Sequence, residues 1–255
     1  MLGTIMKIRT IATVLCGLFV LSEAAQCAEV TVLASGAVKE ILTELRPAFE
    51  KVSGHKLAIT WSGTAKIEKQ IAGGEVYDLV IVGAPEIDAF VKDGKVKSGT
   101  RIDLVRSGVG VAVKKGAPKP DISSAAALKK ALLDAKSVAY STGPSGSYVR
   151  TMFDKLGIGT EMKSKSIQTV TGTRVGDYLG RGDAEIGFQQ IAELIHETGS
   201  DYVGPLPPEI QNITVFSSGI HTAAKQSDAA KILQVFLTSP EVTPVIRKNG
   251  MEPAK

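Results

Sequence analysis

The chain has 255 residues, of which 44% are hydrophobic and 22% charged, a balance typical of a globular protein with one large or two smaller domains. Its 26 Gly, 11 Pro and 2 Cys exclude a disordered, a collagen-like and a disulfide-rich protein. The net charge of +4 favours small anions over cations, but it is too small and too dispersed to indicate nucleic-acid binding.

The first 28 residues have the pattern of a secretory signal peptide. Lys7 and Arg9 form a positive start, residues 11–21 are apolar, and small residues follow. The apolar run is shorter than the about 20 residues that span a bilayer. We therefore expect residues 1–28 to be removed, with cleavage after Ala24 or after Ala28.

Cys27 leaves a second possibility open at this end of the chain. An acylated Cys27 would be the N-terminus of a lipoprotein, although Gln26 is a poor match to the small residue that such sites prefer. Cys16 lies in the apolar run, so the mature chain keeps at most one cysteine and has no internal disulfide. An exported chain with neither a disulfide nor a membrane anchor is expected in the periplasm.

Short β-rich runs then alternate with amphipathic stretches at helical spacing. In the first part of the chain the predicted strands are 30–33, 57–61, 79–82 and 102–113, and the predicted helices are 38–52, 67–72 and 85–92. Pro47 should bend the first helix or shift its start, and Gly54 should end it.

The alternation resumes after a proline-containing connector at residues 115–121. The predicted strands are 138–140, 167–170, 184–188 and 213–222, and the predicted helices are 124–135, 147–156, 173–179, 228–237 and 240–248.

This order predicts an α/β protein with two doubly wound lobes, parallel sheets and a ligand cleft between the lobes. The long runs at 102–113 and 213–222 are interpreted as crossover strands, so the second lobe is inserted into the first. Lobe 1 is predicted to comprise residues 29–107 plus 217–255, and lobe 2 residues 108–216. Two chain crossings make a hinge.

The turns after the predicted strands are unusually rich in small polar residues. Ligands of open α/β sheets bind at this edge, where helix N-termini offer free N–H groups and a favourable dipole for an anion. The candidate ligand-binding residues in these turns are Ser35, Gly36, Ser62, Gly63, Thr64, Ser145, Gly146, Ser147, Thr173 and Gln190. The alternative is that each turn merely caps its helix.

Two larger side chains accompany these turns. Arg174 is suited to bind a carboxylate or an oxyanion in bidentate fashion, or it is a surface arginine near Asp177. Tyr148 either lines the cleft or packs at the seam between the lobes.

Five segments, VTVLASGAVKEIL, SGTAKIEKQIAGGEVYDLVIVG, GPSGSYVRTMFDKLGI, GRGDAEIGFQQ and the signal peptide, occur in an order that resembles periplasmic molybdate-binding-like substrate-binding proteins. The resemblance covers nearly the whole mature chain. It implies a type II periplasmic-binding fold that delivers a bound anion to the permease of an ABC transporter in the inner membrane.

The resemblance carries the site over only in part. The family's first serine corresponds to Ala37, its second to Thr64, its backbone donors to Ser145 and Gly146, and its tyrosine to Gln190; a further contact falls at Thr173 or Arg174. These departures fit a carboxylate-bearing ligand better than molybdate. The branch also resembles periplasmic aconitate isomerases, which use the same fold as an enzyme.

Signatures of other chemistry are sparse. The chain has no HExxH, GxSxG, CxxC or GxxxxGK[ST] motif, and its three histidines are too far apart in sequence to be assigned to a metal. An isomerase would need a base, and Tyr148, His221 and Lys66 are open alternatives. We therefore expect a monomeric anion-binding protein without metal or cofactor, with aconitate isomerisation as the alternative.

Overall fold

A computed structural model describes residues 27–170 and 172–255. The predicted signal peptide thus lies outside the described residues, apart from its last two, and Cys27 is exposed. No helix within the described ranges is long and apolar enough to cross a membrane.

The first part of the chain folds as three strand–helix units. Its elements are β1 (Glu29–Ser35), α1 (Lys39–Ser53), β2 (Lys56–Ser62), α2 (Thr64–Ala72), β3 (Leu79–Gly83) and α3 (Ala84–Lys92). All five residues of β3 are buried, which explains its unbroken apolar sequence. Helix α1 continues through Pro47 and ends at Gly54, whose φ of +72° is readily adopted only by glycine.

The second part contains more elements than the first. They are β4 (Ile102–Lys114), α4 (Ala125–Asp134), β5 (Val138–Tyr140), α5 (Pro144–Lys155), α6 (Gly159–Lys165), β6 (Ser166–Gln168), α7 (Val175–Arg181), β7 (Ile186–Gln190), α8 (Ile191–Leu194), β8 (Ser200–Pro205), β9 (Ile213–Ile220), α9 (Ser227–Leu237), α10 (Thr243–Lys248) and β10 (Glu252–Pro253). Of these elements, α6, α8, β8 and β10 were not predicted from the sequence.

The strands follow the order β2-β1-β3-β9-β4-β7-β5-β6, with β8 and β10 also paired to β4. Strand β1 is parallel to β2 and β3, and β5 is parallel to β6 and β7. Strands β4 and β9 run antiparallel to their neighbours. The expectation of wholly parallel sheets is therefore wrong at the crossover strands, because each carries the chain back across the sheet it joins. The two doubly wound lobes themselves are confirmed.

Strand β4 belongs to both sheets. It pairs with β9 up to Gly108 and with β7 from Val109 onwards. The predicted lobe boundary at residues 107 and 108 falls at this change of partner. The boundary predicted at 216 and 217 lies inside β9, which pairs with β4 from Ile213 and therefore belongs with the first sheet along its whole length.

Candidate functional site

A cavity of about 170 Å³ lies between the two lobes, where β1, β2, β5 and β7 end. It is lined by Ser35, Gly36, Ala37, Lys39, Ser62, Gly63, Thr64, Ser141, Thr142, Gly143, Pro144, Ser145, Gly172, Thr173, Arg174, Gln189, Gln190 and Glu193. Helices α2 and α5 begin at this cavity, so their unpaired N–H groups and positive dipole ends favour an anion there.

Two hydroxyl groups on the lobe 1 wall differ from that of Ser35 in their hydrogen bonding. Ser62 Oγ and Thr64 Oγ1 are buried without one among the described residues, and the two residues are only 9% and 8% exposed. Gly63 caps α2, so neither hydroxyl serves as a helix cap. Ser35 differs, because its Oγ accepts a hydrogen bond from the Ala37 N–H at 3.4 Å. Capping therefore accounts for Ser35 but leaves Ser62 and Thr64 with unused hydrogen-bonding capacity.

The lobe 2 wall is built around the turn between β5 and α5. The hydroxyls of Ser141 and Ser145 lie 2.9 Å apart, and Ser141 Oγ also accepts from the Gly143 N–H at 3.3 Å. A Cβ on Gly146 would lie 1.7 Å from the Ser141 carbonyl oxygen. The glycine at 146 is thus required by the close packing of α5 against this turn.

Three candidates from this turn, Gly146, Ser147 and Tyr148, do not line the cavity. Ser147 is exposed on α5. The Tyr148 hydroxyl donates to the Ile210 carbonyl at 2.6 Å, so this side chain packs within lobe 2. The other nine candidates line the cavity: Ser35, Gly36, Ser62, Gly63, Thr64, Ser145, Thr173, Arg174 and Gln190.

Arg174 joins the two lobes. Its guanidinium donates to Glu40 Oε1 on α1 and to Glu197 Oε1 after α8, both at 3.1 Å. Its backbone N–H donates to Asp177 Oδ2 at 3.2 Å, but its side chain is paired elsewhere. The charge of Arg174 at the cavity is therefore already shared with two carboxylates.

Gln190 forms hydrogen bonds with the two strands along which the chain crosses between the lobes. Its amide is best satisfied with the oxygen accepting from the Thr214 hydroxyl at 2.9 Å and the nitrogen donating to the Gly108 carbonyl at 3.1 Å. A ligand touching Gln190 would thus touch a residue bound to both crossover strands.

The cavity is also lined by two charged residues that were not predicted from the sequence. Lys39 begins α1 and forms no ion pair within the described parts of the chain. Glu193 lies on α8, immediately after β7. The positions of both residues, just after the turns predicted to face the cleft, were the available signal.

The carboxyl group of Glu193 has an unusual environment. Burial raises its pKa to about 7, although a hydrogen bond from Gln189 and the charge of Arg174 act to lower it. The charge of Glu197 raises it further. A carboxyl with a pKa near neutrality in a cleft is typical of groups that gain and lose protons during function.

The three bases considered from sequence lie away from the cavity. Lys66 is exposed on α2, and Tyr148 is held by Ile210. His221 follows β9 near the start of β3, where its backbone N–H donates to Asp78 and its Nδ1 accepts from the Ala223 N–H. This is the opposite edge of the sheet from the cavity.

Known proteins resemble this chain along most of its length. It is 34% identical to aconitate isomerase from a Pseudomonas species, over 88% of this chain and 87% of that protein. It is 28% identical to the molybdate-binding protein ModA of Azotobacter vinelandii, over 92% of this chain and 94% of that protein.

A solved structure supports the fold. The sulfate-binding protein SubI of Mycobacterium tuberculosis superposes with a TM-score of 0.76 at 16% identity, covering 89% of this chain and 88% of that one. Together with the strand order this confirms the type II periplasmic-binding fold. The bacterial extracellular solute-binding protein family matches residues 30–252, and the chain therefore belongs to this family.

Proposed function

We propose that the cavity captures a small organic acid with two or three carboxylates. The observation that carries this proposal is the pair of hydroxyls of Ser62 and Thr64, which are buried without a partner among the described residues in a cavity that the cation of Lys39 also lines. Hydroxyls and an ammonium group are suitable donors to carboxylate oxygens.

The composition of the opposite wall favours an organic acid over an inorganic oxyanion. Glu193 would repel a fully charged oxyanion whenever it is ionised. An organic acid can place a CH group against Glu193 while its carboxylates reach Lys39, Ser62 and Thr64, which line the same cavity. The charge pattern of the cavity therefore favours a ligand whose carboxylates are separated by CH groups over molybdate, which is charged on every side.

Capture would proceed by closure of the lobes about the crossings at Gly108 and Ile213. The bridge from Arg174 to Glu40 spans the lobes at 3.1 Å and would favour the closed form. Such a protein would work in the periplasm as a monomer, after removal of its signal peptide, and would deliver the acid to the permease of an ABC transporter. A ligand that binds the closed form better shifts the equilibrium toward it.

A thermal-shift and calorimetric panel tests this proposal. Residues 29–255 would be titrated with citrate, cis- and trans-aconitate, malate, molybdate, tungstate and sulfate. We expect stabilisation by the organic acids, of about 2.7 kcal/mol at a ligand concentration 100 times its Kd. Tight binding of molybdate with no response to any organic acid would contradict the proposal.

A second candidate function is the isomerisation of aconitate in the same cavity. It is favoured by the 34% identity to aconitate isomerase and by the near-neutral carboxyl of Glu193. Proton NMR of trans-aconitate incubated with the protein would follow the appearance of cis-aconitate. Binding of trans-aconitate without conversion would exclude the isomerase and support the solute-binding function.

A further inference from the structure

We propose that Glu193 is the catalytic base of a 1,3-proton shift on a bound tricarboxylic acid of the aconitate class, which rests on the second function proposed above. Glu193 would take a proton from the CH2 carbon and return it to the far carbon of the double bond.

Glu193 lies where the two lobes meet and lines the cavity between them. A Cβ built on Gly36 would lie 3.6 Å from Glu193 Oε1, so the backbone of lobe 1 lies close to this carboxylate. Because Gly36 has no side chain, lobe 1 does not cover the carboxylate further, and a ligand would reach it from the cavity that Glu193 lines.

Within the described residues the neighbouring carboxylates form ion pairs and Glu193 does not, although Gln189 donates a hydrogen bond to it. Glu40 and Glu197 each accept a hydrogen bond from Arg174. Glu193 forms no ion pair within the part of the chain that the structure describes, although Arg174 and Glu197 act on it through space. Of these three acids, Glu193 is the one that lines the cavity.

The protonation equilibrium of Glu193 suits a proton that must leave and return. Its pKa of about 7 leaves both forms populated at neutral pH. A base whose pKa lies near the operating pH is ionised often enough to accept a proton and, once protonated, is acidic enough to return it.

The step balances without any other reactant. The C–H bond of the CH2 group breaks, its electron pair enters the conjugated system, and the proton passes to Glu193. The double bond moves by one carbon, and the protonated Glu193 delivers the proton to the carbon that was vinylic. The negative charge that develops on the ligand would be stabilised by Lys39, Ser62 and Thr64 on the facing wall.

Glu193→Gln tests the assignment, with Glu86→Gln as the matched control. Glu86 on α3 is also a partly buried carboxyl whose pKa is raised by burial, but it does not line the cavity. Conversion of trans-aconitate and uptake of solvent deuterium would be followed by NMR, and binding by calorimetry.

We expect Glu193→Gln to lose conversion by at least about 100-fold while its Kd changes by less than about fivefold. Glu86→Gln should retain both. The unmodified protein should also show a kcat/KM that rises with pH through about 7, which tests the assignment even if Glu193→Gln does not fold.

Three results would overturn the proposal. They are undiminished conversion by Glu193→Gln, a flat pH profile, and an unmodified protein that binds trans-aconitate without conversion or exchange. The last result leaves the solute-binding function standing. Absence of binding by any organic acid would instead remove the proposed function, and this assignment with it.

Discussion

Replacing Thr64 with valine should stabilise the empty protein and weaken its ligand complex. Valine keeps the shape of threonine and removes a hydroxyl that is buried without a partner among the described residues. An unsatisfied buried polar group costs about 1–3 kcal/mol, so we expect the free energy of unfolding to rise by about 1 kcal/mol. For a protein of this size that is an increase in Tm of roughly 2–4 °C.

The complex should change in the opposite direction. A hydrogen bond to a charged carboxylate contributes about 1.5–3 kcal/mol, so Thr64→Val should weaken binding by roughly 10- to 100-fold. Differential scanning fluorimetry of the empty protein and calorimetry with the bound acid measure the two effects separately.

Thr214→Val is the matched control. Thr214 is 7% exposed, close to the 8% of Thr64, but its hydroxyl is hydrogen-bonded to Gln190. The same substitution there should lower the Tm of the empty protein. If Thr64→Val also lowers the Tm and leaves the affinity unchanged, then the Thr64 hydroxyl does not form a hydrogen bond with the ligand.

Three further changes test other parts of the structure. Arg174→Ala should weaken carboxylate binding by at least about 1.5 kcal/mol in calorimetry, since it removes a cation that lines the cavity and leaves the charges of Glu40 and Glu197 without their partner; unchanged affinity would exclude Arg174 from binding. Glu193 has a pKa of about 7 in the folded protein against an ordinary 4.5, so the stability it contributes is full below pH 4.5 and is lost as the pH rises through 7. Relative to Glu193→Gln, the unmodified protein should therefore lose up to about 3 kcal/mol between pH 4.5 and 8 in urea unfolding, and a constant difference would refute the raised pKa. Gly146→Ala should destabilise the fold by more than about 3 kcal/mol, because its Cβ would overlap the Ser141 carbonyl. Gly143→Ala should be tolerated, because its Cβ would lie 3.7 Å from Ser141 Oγ, and equal Tm values for the two variants would argue against this packing.

The sequence predicts best those elements whose pattern is purely local. The buried run of β3 and the glycine that ends α1 belong to this class, because burial and φ preference act on neighbouring residues. Strand β8 was missed because its glycine and proline dilute the β pattern; it is formed by pairing with β4, a contact between residues far apart in the chain.

In the candidate site, too, local features are predicted from the sequence and features that depend on distant residues are not. That small polar turns follow the strands is visible in the sequence, but whether a hydroxyl caps a helix or remains unpartnered depends on the three-dimensional arrangement. Ser35 and Thr64 are both hydroxyl residues in a turn after a strand, but the Ser35 hydroxyl accepts a hydrogen bond and the Thr64 hydroxyl has no partner among the described residues. Glu193 was missed because an acid is not expected in an anion site, and its raised pKa arises from burial in the folded protein.

The chain enters and leaves lobe 2 at adjacent points, since Gly108 on β4 pairs with Ile213 on β9. An inserted lobe whose two ends lie side by side can be exchanged as a block without disrupting the strand pairing of lobe 1. Recombination between relatives could therefore replace one wall of the cavity at a time. New ligand preferences would then arise from combining lobes as well as from point substitutions.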